Sequence, residues 1–345
     1  MGETNMMAMA KTRAMEKVNQ KGRETKKRRV QVKIKEKGLF VGTWNVRGIY
    51  EEGAVENLVN QVNMRKLDIL ALQETKLKSC EVKQIGNYIL FCSGGDNRRL
   101  GTGFLVHVRL KPAIVEFKAV SDRMCMLRMR GKYQKISFIN IHAPTEVMQM
   151  GKKEEFYSQL EIEYERIPKY DAKVVLGDAN AQIGKEPMYR STIGNFSKHQ
   201  VSNENGKLLI SFARSRDMKV KSTFFQRKEI YKGTWRSPDG RVVNQIDHVL
   251  MDSRNERCIT NVRTYRGPDT NSDHYLVGIK MIQNIPYSAK KVTFKQRRYN
   301  MSSWVQNDEE NRKYRVKLEE QLARTMGGNG SAVETRWQSI KEAIK

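Results

Sequence analysis

The chain has 345 residues, enough for one large domain of about 200–250 residues with tails, or for two smaller domains. Its 39% hydrophobic content supports a sizeable core, and its formal net charge of +26 points to a polyanionic partner rather than to a merely solvated basic protein, because Lys and Arg gain affinity by releasing counterions from phosphates. Cys80, Cys92, Cys125 and Cys258 are scattered with no C-x-x-C pair, which argues against a zinc site or a disulfide framework and fits a reducing compartment.

Residues 1–37 are polar, basic and almost free of buried-strand patterning, and are read as a mostly disordered arm. Within them Lys26-Lys27-Arg28-Arg29 is either a nuclear import signal or a nucleic-acid-binding arm, so a nuclear protein is expected, with the cytoplasm as the alternative. The start of the chain lacks the apolar core of a secretory signal. No apolar stretch approaches membrane-spanning length, so no membrane partner is expected.

The first strand is Leu39–Trp44. A helix over about 53–66 follows, with Val55, Leu58, Val59 and Val62 on one face at i, i+3, i+4, i+7 spacing. Ile69–Leu72 is a second strand, and 88–91 pairs with 103–106 as a hairpin around Gly94-Gly95-Asp96-Asn97. Strands at 113–120, 124–130 and 135–141 lead to a helix near 152–168 that turns Phe156, Leu160 and Ile167 inward. Val174–Leu176 is a strand, and 205–217 a helix packing Leu208, Leu209 and Phe212. The last strands lie near 220–225, 243–250, 261–266 and 275–282. So many strands with so few helices exclude a regular βαβ series. Two packed sheets flanked by helices fit better, with alternate strands feeding one rim, and 38–284 is taken as one domain. From 285 to 345 the chain is a basic helical extension, with a helical pattern from Trp304 to about Met326, a Gly327–Ser331 joint and a short last helix. Too small to bury a core of its own, it reads as a linker or as a docking piece for a protein partner.

Six polar motifs close apolar, strand-like runs: Thr43-Trp44-Asn45, Gln73-Glu74-Thr75, Asn140-Ile141-His142-Ala143-Pro144, Gly177-Asp178-Ala179-Asn180, Ile246-Asp247-His248 and Ser272-Asp273-His274. Turn chemistry explains Gly, Pro, Asn and Ser at such ends, but repeated Asp, Glu and His are the residues that bind divalent metal, hold phosphate and move protons. Glu74 is read as a direct ligand of Mg²⁺ or Mn²⁺, since hard oxygen donors without a cysteine cluster favour these over zinc; the alternative is a cap on the turn after its strand. Asp178 and Asn180 are two apart and share a side of an extended backbone, so one orients or deprotonates water while the other donates to phosphate. His274 acts as a base or a phosphate donor only if a carboxylate fixes its tautomer, and Asp247 is the candidate. Asp178 and His274 are expected to line an open rim where their loss costs little stability. His142 and His248 are either catalytic or packing histidines. Arg98 and Arg99, with Trp235 and Arg236, are candidate DNA contacts, the alternatives being solvated arginines and a core tryptophan. No small-molecule cofactor is expected.

As an ordered set over about residues 38–284, these motifs resemble the exonuclease–endonuclease–phosphatase superfamily. Within it, N-I-H-A-P-T, G-D-A-N-A-Q-I-G, N-Q-I-D-H-V-L and S-D-H-Y-L-V are most similar to endonuclease domains of RTE-type non-LTR retrotransposons, whose host relatives include craniofacial development protein 2. The resemblance implies a DNase I-like α/β fold, a four-layer αββα sandwich of two packed mixed sheets flanked by helices, and Mg²⁺-dependent nicking of DNA. It also implies that Asn45 and Glu74 serve metal and phosphate, Asp178 the water and Asn180 the phosphate, that Asp247 orients His274, and that Asp273 supports the metal side. His142 stands where apurinic-site endonucleases have Tyr and phosphatase branches often have His. This departure counts against abasic-site repair without settling it, and the alternatives to a nicking enzyme are a phosphatase or an inactive nucleic-acid-binding scaffold. No Y/F-x-D-D polymerase motif is present, so nicking without copying of RNA is expected.

Overall fold

The computed structural model describes residues 38–78, 82–95 and 99–282, together with 309, 312, 313, 316, 319 and 320. The expected arm over 1–37 with its Lys26–Arg29 cluster, Arg98, and all but those last six positions of the 285–345 extension lie outside the described residues. The first strands are β1 (Leu39–Asn45), β2 (Ile69–Gln73), β3 (Val82–Ile85), β4 (Tyr88–Cys92), β5 (Thr102–His107), β6 (Ile114–Ser121), β7 (Met124–Arg130) and β8 (Lys135–His142). They are followed by β9 (Ala172–Asp178), β10 (Met218–Val220), β11 (Trp235–Arg236), β12 (Val243–Asn244), β13 (Asp247–Asp252), β14 (Ile259–Tyr265) and β15 (Leu276–Met281). The helices are α1 (Ala54–Arg65), α2 (Met150–Arg166) and α3 (Glu204–Ser215).

One sheet has the order β14-β15-β1-β2-β5-β4-β3 and the other β10-β13-β9-β8-β7-β6. Each contains one parallel pair, β1–β2 and β8–β9, among antiparallel neighbours. A parallel pair needs a crossover, and α1 and α2 supply them. Between the sheets lies a core that includes Val41, Ala71, Phe104, Phe138, Val174 and Val249. Leu58, Val59 and Val62 of α1 cover the outer face of the first sheet over Leu70 and Leu72. Phe156 and Leu160 of α2, with Leu209 and Phe212 of α3, cover the second sheet over Ile139 and Val175. Helix, sheet, sheet and helices give the expected four-layer αββα sandwich.

Strand alternation explains where the site must lie. On the face turned towards the opposite sheet, β1 carries Leu39 and Val41, β2 Ile69 and Ala71, β8 Ile136 and Phe138, and β9 Val174 and Leu176. Continuing each series by two residues reaches Thr43 and Asn45, Gln73, Asn140 and His142, and Asp178. β13 is antiparallel to β9 and delivers Asp247 to the same end ahead of Val249 and Met251. The apolar core thus gives way to polar side chains at one end of both sheets.

Two expected strands differ in extent. The run 220–225 leaves the sheet after Val220, because Thr223 Oγ1 donates locally to the Val220 carbonyl and accepts from Gly194 N, closing a tight turn. The run 243–250 splits into β12 and β13, because the Ile246 and Asp247 amides both donate to Thr234 Oγ1. β3 was missed because only Ile85 in it is even half-buried, and β11 because two residues carry no periodicity. Among the described residues, no helix is long and apolar enough to cross a membrane. In the second unit, Ser288–Lys345, the described positions are helical and exposed, and Lys313 pairs with Glu309 at 3.5 Å.

Candidate active site

Asn45 ends β1, and its side-chain amide donates to Glu74 Oε1 at 2.9 Å and to Asp178 Oδ2 at 3.1 Å. Glu74 follows β2 directly with φ 51°, and Asn180 has φ 48°; both left-handed residues break their strands beside the site. Asp178 ends β9, in register with His142 on one side and Asp247 on the other. The pair His274 Nδ1 and Asp247 Oδ2 is hydrogen-bonded at 3.1 Å, and His274 Nε2 lies 3.7 Å from Asp178 Oδ2. His142 Nε2 lies 3.8 Å from Asp178 Oδ2 and 3.9 Å from Glu74 Oε1. The segment carrying His274 is fastened to β1: Ser272 Oγ donates to the Asn45 carbonyl, and Trp44 Nε1 donates to the His274 carbonyl.

Six of the residues singled out in the sequence, Asn45, Glu74, His142, Asp178, Asp247 and His274, therefore form one connected cluster. Asn180 flanks it, with its backbone N–H donating to Asp178 Oδ1 and its side-chain amide to the Ala143 carbonyl, each at 3.0 Å. Asp273 points its Oδ2 elsewhere, accepting from Trp235 Nε1 at 3.0 Å and pairing with Arg47 at 3.5 Å. Trp235 is half-buried at the rim, while Arg99 and Arg236 are exposed.

The expectation of an open rim is corrected by burial: Asp178 is 1% exposed and His274 is 6% exposed. Burial lifts the Asp178 carboxyl above the ordinary range, and the neighbouring Asp247 adds to the lift against the charged His274 and the Asn45 hydrogen bond. Burial alone would lower His274, but Asp247 and Asp178 outweigh it and hold the imidazole at about 9, charged at neutral pH. His142 is the reverse case, since burial outweighs its two carboxylates and keeps the ring neutral. At Glu74 burial opposes ionisation, yet the Asn45 hydrogen bond and the Lys76 charge prevail and hold the carboxyl below its ordinary range. Glu74 is also the carboxylate of the cluster that solvent reaches, at 23% side-chain exposure.

Gly177 fixes the approach of Asp178. Its φ of 145° suits glycine, and a Cβ there would fall 2.0 Å from the Ile141 carbonyl oxygen on the paired strand. Gly177→Ala is expected to cost about 2 kcal/mol and to displace Asp178. A urea midpoint equal to wild type would contradict this. Beneath the cluster, Gln73 donates to Thr43 and Asn140, and Asn140 donates to the Leu72 and Gly103 carbonyls, tying the sheets together at the site floor.

His248 is a packing residue. It neighbours Asp247 on β13 but faces the other way, bonding Ser222 Oγ and the Ala181 carbonyl, each at 2.8 Å. Burial holds it down at about 4. The unfolded chain takes up a proton there near 6.5 that the native state refuses, so this contribution to stability is full above 6.5 and is lost as pH falls towards 4. His248→Gln is expected to remove about 2 kcal/mol of the stability lost between pH 7 and pH 5. Equal pH slopes in urea titrations of the two proteins would refute it.

Sequence reasoning missed three basic residues at the site, the first being Lys76, which pairs with Glu74 at 3.4 Å. Arg123 donates to the His142 and Ala143 carbonyls and lies close enough for its charge to interact with Asp178 and Glu74. It sits in the β6–β7 turn, where nothing in the local pattern marks it. Arg47 lies two residues beyond Asn45, and only its left-handed backbone (φ 52°) sets it apart.

Comparison with known proteins places the family and the fold. Craniofacial development protein 2 from Tragulus javanicus and from Bos taurus are each 32% identical over 238 residues, 69% of this chain. The match spans only 41% and 40% of those relatives, respectively. Among solved structures, the AP endonuclease LMAP from Leishmania major aligns with a TM-score of 0.55 at 15% identity, covering 71% of this chain and 88% of that one. The Xenopus laevis APE2 catalytic domain aligns at 0.56 and 16%, covering 71% and 92%. The endonuclease domain of TRAS1, a telomere-specific non-LTR retrotransposon, aligns at 0.50 and 14%, covering 71% and 98%. At these identities the likeness establishes the fold. The profile of the endonuclease/exonuclease/phosphatase family matches residues 42–274, about two-thirds of the sequence and every element that builds the cluster, and the chain belongs to that family.

Proposed function

We propose that the chain is a divalent-metal-dependent DNA endonuclease of retrotransposon origin, acting in the nucleus, that nicks DNA by hydrolysing a phosphodiester bond. The observation that carries this reading is the unbroken series Glu74–Asn45–Asp178–His274–Asp247, in which an ionised carboxylate, a lifted carboxyl and a charged imidazole meet at one end of both sheets. The +26 charge supports a nucleic-acid substrate, since a small phosphomonoester needs no extended basic surface. The retrotransposon reading rests on the ordered motifs and on a fold shared with the TRAS1 domain.

Glu74 fits a hard divalent cation, with its carboxyl held below the ordinary range and the Asn45 side chain fixing Oε1. Asp178, Asp247 and His274 place one possible ligand atom each within 4.8 Å of one another, and Asp247 Oδ1 is buried without a partner. A cation among these three competes with the proton on His274, whereas Glu74 is ionised and reachable from solvent. Glu74, steered by Asn45, is therefore the residue proposed to hold Mg²⁺ or Mn²⁺. When bound, the ion supplies positive charge to the phosphate oxygens.

The chain's own groups do the rest. Asp178 in its ionised form takes a proton from the attacking water as the bond from phosphorus to the leaving sugar oxygen breaks, a task suited to a base whose pKa has moved towards neutrality, and the leaving oxygen takes its proton from solvent. Charged His274, held through Nδ1 by Asp247, donates from Nε2 to a phosphate oxygen, and Asn180 offers its remaining amide hydrogen. Neutral His142 sits between Glu74 and Asp178 as a further ring donor. Arg99, Trp235 and Arg236 are proposed DNA contacts. Supercoiled plasmid and a generic phosphomonoester, tested side by side in Mg²⁺, check the substrate class. Nicked plasmid with an untouched monoester is expected; the opposite pattern assigns a phosphatase.

A further inference from the structure

Asp273 lies next to His274, yet its outward oxygen is spent on two other partners. Oδ2 accepts from Trp235 Nε1 at 3.0 Å and pairs with Arg47 at 3.5 Å, so one atom holds an indole and a guanidinium together. The main chain reinforces the arrangement. Arg236 N donates to the Asp273 carbonyl at 2.9 Å, Tyr275 N donates to the Thr234 carbonyl at 2.7 Å, and Trp235 bridges His274 in antiparallel register. Thr234 Oγ1 in turn accepts from the Asp247 amide. The β11–β12 ribbon is thus built onto the two segments that carry His274 and Asp247. Arg47 leaves β1 two residues after Asn45, with half of its side chain exposed (50%), while Asp273 is mostly covered (20%).

We infer that Asp273 is a positioning residue for nucleic acid and not a metal ligand: it sets Arg47 and Trp235 side by side at the rim to receive the strand next to the scissile phosphate. The chemistry is that of a sugar–phosphate strand, with a guanidinium to meet a phosphate oxygen and an indole to lie against the neighbouring nucleoside. A cation at Oδ2 would have to displace both the indole N–H and the guanidinium that Oδ2 already holds. Oδ1 is buried and unpaired, the one place at which a metal competes with this assignment, and the experiment is built around it.

This inference rests on the nuclease reading, so binding is measured apart from catalysis. A fluorescent duplex is titrated with wild type, Asp273→Ala, Asp273→Asn, Trp235→Ala, Arg47→Ala and the Asp273→Ala/Trp235→Ala double variant, all in chelator. The Mg²⁺ concentration that half-saturates nicking is measured separately for each. Asp273→Ala and Trp235→Ala are each expected to weaken metal-free binding about tenfold, with the double variant no weaker than either single one, because they remove one arrangement. Arg47→Ala is expected to lower the slope of log affinity against log salt by about one. Asp273→Asn keeps an acceptor for Trp235 and loses the charge facing Arg47, so it falls between wild type and Asp273→Ala; it and Arg47→Ala decide the matter if Asp273→Ala does not fold. The Mg²⁺ half-saturation should stay within about twofold of wild type throughout. Unchanged metal-free affinity in the Asp273 variants, with Mg²⁺ half-saturation raised tenfold or more, overturns the inference and makes Asp273 a ligand. Fully additive losses in the double variant also overturn it. Wild-type protein that does not bind duplex overturns the nuclease reading and this inference with it.

Discussion

Asp178→Asn is expected to lower the nicking rate by about 10²–10⁴-fold while melting no lower than wild type. The carboxyl is 1% exposed, and burial with the Asp247 charge lifts it, so the folded state resists its ionisation. A group whose folded pKa lies above its unfolded value weakens the fold once pH exceeds the unfolded value, and the cost grows as pH rises. Asparagine keeps an oxygen to accept from the Asn180 backbone and loses the contact with Asn45, while Asp247 still serves His274 and removal of the buried charge offsets the loss. It also removes the proton acceptor. Stability held with activity lost is the pattern of a group retained for chemistry at a cost to the fold. A variant that nicks at wild-type rate, or that loses activity only by unfolding, contradicts the role given to Asp178.

His274→Ala is expected to fail on both counts. The imidazole is 6% exposed and carries a charge between Asp247 and Asp178, and its removal leaves those carboxylates buried without a counter-charge. Breaking a buried pair in this way costs about 3 kcal/mol, and nicking should fall by at least about 10²-fold. The sign with pH follows from the lifted value of about 9. A group raised in the folded state gives its full stabilisation below the unfolded value near 6.5 and loses it as pH climbs through 9. The gap in urea midpoint between wild type and His274→Ala should therefore be wide at pH 6 and narrow at pH 10. A gap that widens with pH means that His274 is neutral in the folded protein.

Much of this was legible in the residues. The period-two apolar runs gave two sheets, and the polar triplets closing them marked the rim, because alternation carries a strand's inward face straight from core into site. Asp178, Asp247 and His274 meet as the motifs implied. Burial was not legible: an end-of-strand carboxylate reads as exposed until the facing strand is known, and the register of β13 with β9 is what encloses Asp178. The partners of Asp273 were equally hidden, since Trp235 lies 38 residues away in sequence and reaches it only through the ribbon that Thr234 splits from β13. His248 shows the converse, a motif residue whose strand phase turns it away from the chemistry its neighbour serves.

The most direct measurement is relaxation of supercoiled plasmid by the full chain in Mg²⁺ or Mn²⁺, set against the same reaction in excess chelator, with Asp178→Asn as the parallel control. Open-circular product that appears only with the metal and only with the intact carboxylate is the expected result. Undiminished nicking in chelator, or equal nicking by Asp178→Asn, would contradict a metal-dependent hydrolysis centred on this cluster.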